Sequence, residues 1–272
     1  MPENPLVFPS GNFSLFGIIH EPDGKRLDQG FVFCHPFAEE KLWAHRVYVN
    51  FARILAAKGY TVLRFDYMGH GDSTGAFSQS DLGTRLRDIE SAVGCLQARH
   101  PHLEHITLLG LRFGATLAAL SGERLANIGR LILWEPILVG AKYMKEMMRI
   151  NITTQSAVYK EIRYNTEALV EQMKSGELIS IDGYQMGYPL FNQFSQIDLT
   201  NQDLNFKNPV LVLQINRKEG QGTNRYQAFA ESYAECTLAP VVETQFWREI
   251  REYYATAGNL FSNTLQWIEH HA

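Results

Sequence analysis

A chain of 272 residues, 45% of them hydrophobic and 20% charged, can bury a large core. A formal charge of -4 with no run of Lys/Arg argues against nucleic acid or an anionic membrane surface as a partner. The three distant cysteines, Cys34, Cys95 and Cys236, form no CxxC pair, which argues against a disulfide scaffold or a thiolate metal site.

The start, Met1-Pro-Glu-Asn-Pro5, is too polar for a secretion signal, and no apolar run reaches membrane-spanning length; both predict a cytoplasmic protein without a membrane span. Residues 13–20 alternate around Gly17 and break at Pro22-Asp-Gly24, as an antiparallel edge strand would. Gly30-Phe-Val-Phe-Cys34 reads as a buried strand ending in His35-Pro-Phe-Ala38. Val47, Phe51, Ile54 and Leu55 predict a helix over 44–58, closed by Gly59. A strand over 60–65 feeds the glycine-dense loop Asp66-Tyr-Met-Gly-His-Gly-Asp-Ser-Thr-Gly75, and Leu82, Leu86, Ile89 and Val93 stripe a helix over 81–99.

Next come a strand at Ile106-Thr-Leu-Leu-Gly110 and an Ala/Leu-rich helix after Gly114. Between them Gly110-Leu-Arg-Phe-Gly114 outlines a sharp elbow, with small residues where close packing needs them. A strand over 130–134 ends in Glu135-Pro136. Residues 137–205 then turn Met-, Gln- and Tyr-rich, with helix-like pieces over 143–150 and 166–174, and read as an inserted helical lid. Alternation resumes with a strand over 209–215, a helix over 226–233, a strand over 238–242 and a last helix over 247–270. Such alternation predicts an α/β fold: one domain over 1–272, its mostly parallel central sheet flanked by helices and joined by right-handed crossovers.

Three landmarks make the chain resemble the α/β-hydrolase superfamily, of serine aminopeptidase and esterase type. They are His35-Pro-Phe37, the Asp66-to-Ser73 loop and the Gly110-to-Gly114 elbow, each at its place in the strand order. In detail, Gly110-Leu-Arg-Phe-Gly114, Leu133-Trp-Glu-Pro136 and Phe246-Trp-Arg248 look like the hydrolase-like proteins encoded beside bacterial exosortase systems. That likeness implies an accessory or transferase role in polysaccharide or envelope biogenesis.

The superfamily's chemistry needs a nucleophile, a base and an acid that orients it. The nucleophile slot holds Arg112, which has no nucleophilic oxygen or sulfur. The acid slot offers Glu219, and the histidine slot, Glu243-Thr-Gln-Phe-Trp-Arg248, has no histidine. The resemblance therefore implies a hydrolase-like pseudoenzyme that binds a small anionic or acyl ligand, or a partner. Arg112 would anchor it, and the N–H groups of Phe113 and of Phe37 or Ala38 would form the remnant oxyanion hole. A competing reading has Arg112 plug the pocket by pairing with Glu219 or Glu135. The alternative from another class is an active hydrolase of an ester, thioester or amide, with Ser73 as a relocated nucleophile and His70 or His35 as base. Ser73 lies in a Gly-x-Ser-x-Gly string with no helix packed behind it, a context better suited to a turn hydroxyl. No cofactor and no metal are expected, because neither Gly-x-Gly-x-x-Gly nor His-x-x-x-His occurs where it would be needed. Self-association into a homo-oligomer stays open.

Overall fold

The computed structural model describes residues 2–202, 204–220, 222–248 and 256–271. Eight strands form one sheet in the order β1-β2-β4-β3-β5-β6-β9-β10. A hairpin of β1 (Glu3–Ser10) and β2 (Phe13–His20) runs antiparallel to β4 (Thr61–Phe65) through β2. The remaining members are β3 (Gln29–Cys34), β5 (His105–Leu111), β6 (Ile128–Trp134), β9 (Val210–Asn216) and β10 (Cys236–Val242). From β4 to β10 every pairing is parallel. Strands covered on both faces need continuous apolar runs, and β3, β5, β6 and β9 supply them.

Helices α1 (Glu39–Ala57) and α8 (Gly258–His270) cover one face through Val47, Phe51, Leu55, Leu260 and Phe261. Helices α2 (Leu82–Arg99), α3 (Phe113–Gly122) and α7 (Asn224–Glu231) cover the other through Ile89, Val93, Leu117, Tyr226 and Phe229. Between β6 and β9 the chain leaves the alternation. It forms α4 (Gly140–Tyr159), α5 (Thr166–Lys174), a small hairpin of β7 (Ile179–Ile181) and β8 (Tyr184–Met186), and α6 (Tyr188–Ser195). Met144, Met148, Leu190 and Phe194 tie this excursion into the core.

Three expectations are corrected. Residues 13–20 are not an edge strand, because β1 pairs along their outer side. The first helix begins at Glu39 rather than at residue 44; Glu39 and Glu40 add no apolar periodicity, but their charges suit the amino end of a helix. The last helix begins at Gly258, while Phe246 and Trp247 lie buried in the loop after β10. The part of the expected helix over 249–255 lies outside the described residues.

Candidate functional site

Strand β5 ends at Leu111 and α3 begins at Phe113, so Arg112 alone makes the elbow, with φ at 54°. A bulky residue held there stores on the order of 1–3 kcal/mol of strain. Its N–H donates to the Trp134 carbonyl at 2.9 Å. The flanking glycines are required by contact: a Cβ on Gly110 would stand 2.4 Å from the Gly114 carbonyl oxygen, and one on Gly114 would stand 2.2 Å from that of Cys34.

The Arg112 side chain is buried and has a partner. Its Nε donates to Glu40 Oε1 at 3.1 Å, and the Tyr143 hydroxyl donates to Glu40 Oε2 at 2.9 Å. Glu146 of α4 stands farther off, with Oε2 3.7 Å from Nη2. The rings of Tyr143 and Trp247 lie 5.4 and 5.5 Å from the guanidinium carbon. Trp247 thus enters from the loop where the superfamily resemblance would place a histidine. Burial alone would lower the Arg112 pKa, but Glu40, then Tyr143 and Glu135, outweigh it and hold the guanidinium above its ordinary range. Burial pushes the Glu40 carboxyl up, opposed by Arg112 and by the Tyr143 hydroxyl. A buried ion pair with both carboxylate oxygens bonded is the arrangement that offsets desolvation best.

Neither partner expected from the sequence is the observed one. Glu219 is exposed in the loop after β9 and does not line the pocket beside Arg112. Glu135 accepts from the Ile215 N–H at 2.7 Å and pairs with Arg225, tying β6 to β9. Sequence reasoning missed Glu40 because it searched the superfamily's acid slot. The available signal was the Glu39-Glu40 pair directly after His35-Pro-Phe-Ala38, the loop that faces the elbow.

A groove of about 960 Å³ opens beside this ion pair. Arg112, Trp43 and Trp247 line it, together with the Glu146, Ile150 and Ala157 positions of α4. Phe37 also lines it, while its ring packs 5.4 Å from Phe194 and 6.0 Å from Phe113. The Phe113 ring is stacked between Phe194 at 4.2 Å and Tyr143 at 5.5 Å. Its side chain is therefore committed to packing, and only its backbone N–H, at the start of α3, remains for an anion.

Ser73, His70 and His35 are not assembled as nucleophile and base. The Ser73 hydroxyl donates to the Asp66 carbonyl at 2.6 Å and accepts from the Phe16 N–H at 2.9 Å, fastening the loop to β2. Arg85 Nη1 lies 2.9 Å from His70 Nδ1; arginine only donates, so Nδ1 accepts and the ring proton sits on Nε2. Burial, then Arg85, holds the His70 pKa well below the usual range. His35 is stacked on Tyr48 at 4.8 Å, and burial keeps it neutral as well. Among the described residues, no cluster of His, Cys, Asp or Glu could hold a metal ion, and no helix is long and apolar enough to cross a membrane.

The strand order and the one-residue elbow between β5 and α3 define an α/β-hydrolase fold. A family profile for serine aminopeptidases, S33, matches residues 27–235, and the chain belongs to that family. Its structure is similar to that of the esterase Est1E from Butyrivibrio proteoclasticus with ferulic acid bound. The TM-score is 0.68 at 17% identity, over 98% of each chain. It is also similar to proline iminopeptidase from Mycobacterium smegmatis, with a TM-score of 0.64 at 14% identity over 98% of each chain. In sequence, 84 residues are 36% identical to an uncharacterized protein of Rickettsia prowazekii, covering 31% of this chain and 34% of that one.

Proposed function

We propose that this chain is a hydrolase-fold protein that binds, rather than hydrolyses, a small anionic or acyl ligand. The ligand sits in the groove beside Arg112, beneath a lid formed by residues 137–205. The observation that carries the reading is the occupant of the elbow: a buried, permanently charged guanidinium stands where a nucleophile would be needed. Such a group can donate hydrogen bonds to a carboxylate or phosphate but cannot attack a carbonyl. The Phe113 N–H at the start of α3 and one N–H from Phe37 or Ala38 would add the donors of a remnant oxyanion hole. The segments Gly110–Gly114, Leu133–Pro136 and Phe246–Arg248 support a further placement among the hydrolase-like proteins that accompany bacterial exosortase systems. In this reading the protein works in the cytoplasm.

The test is labelling of the folded protein with a fluorophosphonate probe, followed by peptide mapping and a generic ester assay. The expected result is no adduct and no turnover above buffer. A stoichiometric adduct on Ser73, or on any other single serine, would refute the binding role and identify a relocated nucleophile.

A further inference from the structure

Resting on that reading, we infer that the ligand is an amphipathic monocarboxylate, and that Glu146 holds its seat on Arg112 in the empty protein. The two carboxylates on Arg112 differ in kind. Glu40 takes the Nε edge at 3.1 Å, is buried, and has its second oxygen bonded by Tyr143. Glu146 meets Nη2 at 3.7 Å, beyond hydrogen-bond distance, from a half-exposed side chain that lines the groove. An ion pair of that length and exposure is worth little and exchanges readily. A ligand carboxylate can approach the same guanidinium edge closely and accept two parallel N–H bonds from it.

The groove also indicates what the carboxylate is attached to. Its α4 wall runs from Glu146 to Ala157, about 16 Å of helix at 1.5 Å per residue. Met147, Ile150 and Ala157 lie along it among Arg149, Thr153 and Thr154, and Ile181 and Trp43 also line the groove, so an apolar tail finds an apolar strip beside polar groups. The head seats on Arg112 and the tail lies along α4. Glu146 turns outward to solvent, while Tyr143 keeps its bond to Glu40 and α4 stays in place.

Isothermal titration calorimetry with octanoate and with octanamide, its uncharged counterpart of the same length, tests this on the wild-type chain, E146Q and R112M. Octanoate is expected to bind wild type at least about tenfold tighter than octanamide, the worth of a charge-assisted hydrogen bond. R112M should abolish that difference. E146Q should bind octanoate roughly two- to fivefold tighter, since the competing pair it removes is a weak one. Octanoate binding that depends on Arg112 but is unchanged or weaker in E146Q would overturn the role of Glu146 and leave the binding groove standing. Equal affinity for octanoate and octanamide in the wild type, which needs no variant to fold, would overturn the anionic anchor itself.

Discussion

Replacing Glu40 with leucine keeps a side chain of similar size in the first turn of α1 and strips Arg112 of its close partner. The guanidinium is buried and fixed by an elbow that cannot move, because both flanking glycines are in backbone contact. Its next carboxylate, Glu146, is 3.7 Å away and half-exposed. Removing one member of a buried pair costs roughly 3–5 kcal/mol, mostly through the uncompensated charge left behind. Against a total stability of about 5–15 kcal/mol, E40L should lower the midpoint of thermal unfolding by on the order of 10 °C. The second half of the cycle makes the reasoning sharp. In E40L/R112M both charges are gone, and an apolar pair of similar volume should recover most of the loss, leaving about 1–3 kcal/mol for the buried Tyr143 hydroxyl that has lost its acceptor. Urea unfolding followed by circular dichroism supplies all four corners. An E40L loss below about 1 kcal/mol would refute the argument by showing that water in the groove solvates Arg112. A double variant no more stable than E40L would refute it by showing that Glu40 acts through packing alone.

Two further outcomes follow from side chains away from the groove. Ser73→Ala should lower stability by about 1–3 kcal/mol in thermal melts, because the Phe16 N–H loses its acceptor and the loop one of its ties to β2. Unchanged stability would remove the fastening role assigned to that hydroxyl. Lowering the pH from 7.5 to 5.5 should also destabilise the fold. His35 and His70 are held neutral with pKa values well below 6.5. As pH falls through that value the unfolded chain takes up protons that the folded chain refuses, and stability is lost by up to about 1.4 kcal/mol per pH unit for each residue. His70→Asn, which preserves an acceptor for Arg85, should flatten the dependence; an equally steep profile in the variant would clear His70 of the effect.

The fold was legible because its signals are local. Four buried strands read as apolar runs, and Gly110-Leu-Arg-Phe-Gly114 fits a strand-to-helix turn that tolerates no Cβ at either glycine. The position of Arg112 at the elbow was legible for the same reason. The identity of Arg112's partner was not, because Glu40 lies 72 positions away and meets it only through the β3–β5 pairing. Nor was the stacking of Phe194 on Phe113, whose contact depends on how α6 returns over the elbow. The edge assignment of residues 13–20 failed on β1, whose exposed positions and whose Pro5 and Pro9 weaken its strand signal.

The stack of Phe194, Phe113 and Tyr143 also decides whether α4 and α6 can move independently of the sheet. It joins α6, α3 and α4 in one continuous aromatic column, with Phe37 packed against its side. Each such ring pair adds about 0.5–1.5 kcal/mol beyond its buried area. Displacing α4 and α6 would break the column and wet three buried rings at once, so these helices and the sheet belong to one cooperative unit.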